Sequence, residues 1–171
     1  DTSALPALHV LVDGLPLYPS GMFYARAIVQ TYLMAGSVWL FGDSEWALRL
    51  PSALCGVGLI AMAWGIGRRF FKPAVNVLFT ATVALLPALI LLSQTARMYI
   101  FMLACIAGFL LLIIDWERTG KTSRLWLGTL LLVVGEQFHT LAVLAGFFVF
   151  FPALVQADSR KFWQAMLAFA L

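Results

Sequence analysis

Apolar residues dominate several stretches of the chain over lengths that suit a membrane. A helix needs about 20 residues to cross a hydrocarbon core of about 30 Å. Four stretches meet that need: residues 22–41, interrupted by Arg26 and Gln30; 50–67, with no charge; 75–92, which carries Asn76 and Pro87; and 98–114, without interruption. Residues 125–155 are too many for one crossing, since a single helix over them would measure about 46 Å, and Gly135, Glu136, Gln137 and His139 break the middle. Residues 162–171 begin one more apolar run. The stretch before residue 22, punctuated by Pro6, Gly14, Pro16, Pro19 and Gly21, reads as a loop holding a short amphipathic helix around residues 5–12.

These elements predict an all-α, polytopic transmembrane helix bundle, and the basic residues orient it. Short cytoplasmic loops carry an excess of Lys and Arg. Arg68, Arg69 and Lys72 fall in the second connection and Arg118, Lys121 and Arg124 in the fourth, whereas the first and third hold one arginine each, Arg49 and Arg97. Even-numbered connections are therefore expected on the cytoplasmic side. Arg160 and Lys161 join them if 125–155 enters the membrane and returns, with its turn near residues 135–139. The expectation is about six membrane segments and the start of a seventh, in a single membrane domain over residues 1–171 with 1–21 as an extracytoplasmic loop. Parity then gathers Asp43, Glu45, Gln94, Arg97, Tyr99, Glu136 and His139 on the outer side, where they are expected to converge. On the inner side Asp115, Glu117, Arg118 and Lys121 read as solvating loop charges in contact with lipid headgroups.

Composition closes off other classes. The 171 residues are 63% hydrophobic and 11% charged, against about 25% charged in a soluble domain, which excludes a soluble globular protein. A net charge of +3 spread over so few charged groups cannot build a phosphate-tracking groove, so no nucleic-acid partner is expected. Cys55 and Cys105 lie in apolar runs without CxxC spacing, which points to neither a disulfide framework nor a zinc site. The chain opens at Asp1 and closes at Leu171 inside an apolar run, and so reads as a piece of a longer protein.

Ionisable groups at a membrane edge are costly, and each invites a functional reading beside a structural one. Arg97 follows Ser93-Gln94-Thr95-Ala96 at the end of an apolar run and precedes Met98-Tyr99. Its guanidinium could grip a phosphate bidentately or simply anchor the helix end. Arg26 suits an anionic lipid headgroup or a buried pair with a carboxylate. His139, beside Glu136, could donate to a phosphate oxygen, move a proton, or hold a turn by a hydrogen bond. Asp43-Ser44-Glu45 and Arg49 read as structural: Asp43 or Ser44 as a helix cap, Glu45 favoured by the helix dipole, and Glu45 with Arg49 as a pair one turn apart. His9 and Asp13 share that spacing but make a weak metal signal without a third ligand.

Three strings carry a family resemblance: Gly42-Asp43-Ser44-Glu45-Trp46-Ala47-Leu48-Arg49-Leu50-Pro51-Ser52-Ala53-Leu54, Gly65-Ile66-Gly67-Arg68-Arg69-Phe70, and Ser93-Gln94-Thr95-Ala96-Arg97-Met98-Tyr99. With Leu15-Pro16-Leu17-Tyr18-Pro19-Ser20-Gly21, Tyr24 and Arg26 before them, the ordered set resembles the polyprenyl-phosphate-sugar-dependent glycosyltransferases of the GT-C class, in particular the protein-mannosyltransferase-like and aminoarabinose-transferase-like bacterial members. The resemblance implies an integral protein of a bacterial-type inner membrane. It implies transfer of a sugar from a polyprenyl-phosphate carrier to a protein, lipid or glycan acceptor on the extracytoplasmic face. Members place an Asp-Glu pair in the first outer loop, where the Asp acts as base or helps hold a divalent metal. No such dipeptide occurs here, which puts the pair upstream of Asp1 and makes Asp1 its neighbour. For such a transfer the chemistry of the residues on that face makes Arg97, Arg26 and His139 the available donors to the leaving phosphate, with His139 read as catalytic, and Tyr24, Gln94 and Tyr99 the groups that could orient the phosphate or sugar. A membrane transporter or lipid-handling protein is the competing class, since polar residues at helix breaks also build translocation sites.

Overall fold

The computed structural model describes residues 4–25, 27–147 and 164–168, and among these the only regular elements are helices. In chain order they are α1 (Ala4–Asp13), α2 (Ile28–Phe41), α3 (Glu45–Phe70), α4 (Pro73–Leu85), α5 (Pro87–Gln94), α6 (Tyr99–Thr119) and α7 (Thr122–Phe138). Residues 142–147 and 164–168 are also helical. Asp1, Arg26, Arg160 and Lys161 lie outside the described residues, as does half of the expected last segment over 162–171.

Two helices, α3 and α6, are long and apolar enough to cross a membrane, and α4 with α5 makes a third if the bent pair is one span. Six segments and the start of a seventh are not reached among the described residues. α2 has 14 residues and α7 has 17. The expected segment 22–41 loses its first residues to a folded-back loop, and the expected 75–92 segment bends by 51° at its proline. Pro87 has no N–H to offer the preceding turn, so the ladder breaks at Leu86 and restarts with Pro87 as the first residue of α5. The 125–155 run does break where its polar residues cluster, with α7 ending at Phe138 and His139 extended beyond it.

α3 shows how a helix absorbs an internal proline. Pro51 leaves the carbonyl of Ala47 without its usual donor. The Ser37 hydroxyl of α2 donates to that carbonyl at 2.6 Å, so the loss inside one helix becomes a link to its neighbour. Ser44 does take the N-cap position of α3, but its hydroxyl makes no capping bond, and the cap expected from Asp43 or Ser44 is not formed. The pairing of Glu45 with Arg49 is present.

The helices pack through small residues and an apolar interior. Phe109, Ile113 and Trp116 of α6 meet Leu125 and Leu132 of α7 in one buried cluster. Leu59, Ile100, Phe101 and Phe138 form a second, with the Phe101 and Phe138 rings stacked at 5.2 Å. Trp39, Leu40, Leu78 and Leu85 point outward and are mostly exposed, as side chains facing lipid would be. Gly67 is a critical contact point between α3 and α4. Asn76 of α4, 1% exposed, fills the space above it, and a Cβ on Gly67 would fall 1.9 Å from the Asn76 Oδ1 atom. Gly67→Ala is expected to destabilise the protein by about 2 kcal/mol through overpacking. Gly36→Ala, where a Cβ meets nothing within 4 Å, should be neutral or stabilising by up to about 1 kcal/mol. Melting temperatures in detergent compare the two, and equal values would contradict this packing.

The second and fourth connections meet at one end of the bundle. Asp115 is not the solvating loop charge the sequence suggests: it lies within α6, is 16% exposed, and bridges Arg69 of α3 and Arg124 of α7. Arg69 donates from Nε to Asp115 Oδ1 at 2.7 Å. Arg118 donates to the Arg69 carbonyl and lies over the Phe70 ring, 5.8 Å from its centroid, so it too is structural. Lys121 is exposed.

Candidate active site

The opposite end of the bundle holds the start of α3, the end of α5, the start of α6 and the end of α7, which is where most of the unusual polar residues reside. The chain enters it through α1, whose Ala7 packs with Met34 of α2 and with Ala96. His9 and Asp13 on α1 approach to 3.5 Å. After α1 the backbone turns back on itself. The Tyr18 N–H donates to the Met22 carbonyl and the Tyr24 N–H to the Pro16 carbonyl, both at 2.8 Å, with Leu17 and Phe23 in an antiparallel bridge. Gly21 takes a φ of 79°, which closes this turn and which a side chain would resist. The Tyr18 and Tyr24 rings meet edge to face at 5.4 Å, and the Tyr32 hydroxyl donates to the Gly14 carbonyl at 2.9 Å.

This folded loop is fastened to the end of α7. The Ala27 N–H donates to the Gln137 carbonyl at 3.2 Å, and Ala25 joins Met98, Glu136, His139 and Thr140 around a cavity of about 340 Å³. The His139 ring lies 5.8 Å from that of Tyr99. Its Nδ1 accepts a hydrogen bond from the Leu141 N–H at 3.2 Å. A nitrogen that accepts must carry a lone pair, so the proton of neutral His139 sits on Nε2. The half-buried imidazole is therefore set up as a donor from Nε2.

The other sequence candidates are arranged around this cavity without all entering it. Gln94 lines a separate cavity of about 610 Å³ with Glu45, Arg49 and Ser93. Arg97 is exposed on the turn between α5 and α6, flanked by buried Ala96 and cavity-lining Met98, and its side chain lines neither space. The convergence of Arg97 and His139 on one cavity, expected from the sequence, is thus not seen; what meets His139 is Tyr99. Tyr24 is half-buried against Tyr18. Asp1 and Arg26 fall outside the described residues. Thr140 and Met98 are lining residues that sequence reasoning missed. The position of Thr140 directly after His139 is the one signal that could have found it. Among the described residues no three His, Cys, Asp or Glu side chains gather where they could hold a metal ion, so these residues by themselves do not fit a metal centre.

Comparison with curated proteins and with solved structures gives no significant match. Residues 25–171, which include this polar end, match the family model of dolichyl-phosphate-mannose-protein mannosyltransferase. Taken with helices of membrane-crossing length and a polar pocket at one end of the bundle, this match places the chain in that family of GT-C-type membrane glycosyltransferases.

Proposed function

We propose that the polar end of the bundle transfers a sugar from a polyprenyl-phosphate carrier to a protein, lipid or glycan acceptor at the extracytoplasmic face of a bacterial-type inner membrane. The observation that carries this reading is the union of the first loop with the end of α7, which brings Ala25 and His139 together around a polar cavity, with the Tyr99 ring beside that of His139. At the other end Arg69 and Arg124 are already occupied by Asp115. The excess of cations there supports a cytoplasmic location.

In the proposed reaction a carboxylate takes the proton of an acceptor hydroxyl or amine. The acceptor atom bonds to the anomeric carbon, and the bond from that carbon to the carrier phosphate breaks. The leaving phosphate gains negative charge, and donors already in position are the cheapest way to stabilise it. His139 supplies Nε2–H, Arg97 a guanidinium fork, and Arg26 a second cation. Tyr24, Tyr99 and Gln94 orient the carrier phosphate or the sugar. Asp1 is the carboxylate of the first loop that this reading places nearest the base. The tautomer of His139 favours phosphate donation over the role of base.

Two measurements test this. Full-length protein in proteoliposomes, given radiolabelled polyprenyl-phosphate mannose and peptide or glycan acceptors, should release polyprenyl phosphate in step with labelled product; carrier binding without sugar release would favour the lipid-handling alternative. Single cysteines at Asp43 and at Lys121 should react with a membrane-impermeant thiol reagent from opposite sides, Asp43 from outside. Labelling of both from one side would overturn the orientation.

A further inference from the structure

α3 and the bent pair α4–α5 approach closely at two places and part between them. At one, Asn76 sits on Gly67; at the other, a Cβ on Gly56 would stand 2.7 Å from that of Ser93. Between these contacts the 51° bend leaves a cavity of about 610 Å³. Its walls are aliphatic, with Ala53, Val57 and Ile60 from α3 facing Val83, Ala84 and Leu89. One end is not, because Glu45, Trp46, Arg49 and Gln94 close it. Along α3 the lining runs from Glu45 to Ile60, roughly 22 Å at a rise of about 1.5 Å per residue. A long apolar slot with one hydrophilic end fits a lipid chain beneath its headgroup and is a poor fit for a compact polar solute.

The charges at the hydrophilic end discriminate among headgroups. Glu45 and Arg49 pair across one turn, with side chains 77% and 48% exposed. A purely anionic head would approach Arg49 with the Glu45 carboxylate beside it, and most of the attraction would cancel. A head that carries a phosphate and a primary ammonium offers both signs. Its phosphate can take the guanidinium fork, and its ammonium can donate to the carboxylate. Trp46 at the mouth, 56% exposed, suits the depth at which amphipathic rings meet headgroups.

We propose that this groove binds a zwitterionic aminophospholipid, with the phosphoethanolamine head on Glu45 and Arg49 and one acyl chain between α3 and α4–α5. The site requires α3 to lie in a membrane and does not depend on glycosyl transfer.

The test uses full-length protein reconstituted in vesicles of equal parts phosphatidylethanolamine, phosphatidylglycerol and phosphatidylcholine, with a small fraction of polyprenyl phosphate. The protein is re-extracted in mild detergent, and the retained lipid is quantified by mass spectrometry. Wild type should retain phosphatidylethanolamine at least fivefold over each competitor. Glu45→Gln should abolish the advantage over phosphatidylglycerol, and Arg49→Gln should remove retention of both. Ala53→Trp, which fills the aliphatic wall, should release the lipid, whereas Leu54→Trp, next to it on the same helix but outside the groove lining, should not. Val57→Phe replaces Ala53→Trp if that variant fails to fold. Three results would overturn the site: no enrichment in wild type, preferential retention of phosphatidylglycerol or polyprenyl phosphate, or phosphatidylethanolamine enrichment that survives both Glu45→Gln and wall filling. Sugar transfer measured on the same samples stands apart from each of these outcomes.

Discussion

Asp115→Ala is expected to lower stability by roughly 2 to 3 kcal/mol, more than any other single charge removal among the described residues. The carboxylate holds Arg69 and Arg124 together, and its loss leaves two cations facing each other with side chains only 23% and 36% exposed. Breaking a fully buried pair costs about 3 to 5 kcal/mol; the partial exposure of both arginines screens part of that. Asp115→Asn should cost less, because an amide oxygen still accepts one hydrogen bond. The exposed pair of Glu45 and Arg49 is the internal comparison, and Glu45→Ala should cost under about 1 kcal/mol. Unfolding midpoints in a denaturing-detergent titration give the ranking. An Asp115→Ala midpoint no lower than that of Glu45→Ala would mean that the three helix ends are held by packing alone.

The second large effect is expected at Arg97. Among the described residues no hydrogen bond or ion pair occupies its guanidinium, which is exposed at the polar end. If it meets the carrier phosphate, Arg97→Ala should lower transfer about 10- to 100-fold, the equivalent of one charge-assisted contact of roughly 1.5 to 3 kcal/mol in the transition state. Arg97→Lys keeps the charge, loses the fork and should fall between. Arg118 cannot serve as the silent control that its loop-like sequence context suggests, because it holds the Arg69 carbonyl and the Phe70 ring. Lys121→Ala, exposed at the other end, is the suitable one. Transfer by Arg97→Ala equal to wild type, at matched expression and melting temperature, would leave Arg97 as a helix-end anchor.

How much of this could be read in advance differs from residue to residue. Residues 50–67 fall inside α3, and 99–114 of the 98–114 run fall inside α6 with Met98 as its N-cap, because an uninterrupted apolar run of that length has few other stable forms in lipid. The break after Phe138 was legible for a similar reason, since a Gly-Glu-Gln cluster does not belong in the middle of an apolar helix. Residues 22–25 are not the helix their apolar character suggests, because that character says nothing about the backbone bonds from Tyr18 and Tyr24 that fold them back. Asp115 and Arg69 stand 46 positions apart, and no local pattern announces a pair at that distance. The same limit separated Arg97 from His139: residues assigned to one membrane face share a depth, and depth alone does not bring side chains into one cavity.

Ala27 shows what that folding back does to the site. It adopts a left-handed conformation, with φ 49° and ψ 43°, which costs a residue other than glycine roughly 1 to 2 kcal/mol. The conformation is held on both sides, by the bond from its N–H to the Gln137 carbonyl and by burial of its methyl group in the cluster with Ile100, Phe101 and Phe138. In mechanical terms this single residue is a rivet between the hairpin and the last turn of α7. Gln137, which receives this bond, stands two positions from His139, so the anchor of the first loop and the imidazole of the site share one short stretch of backbone.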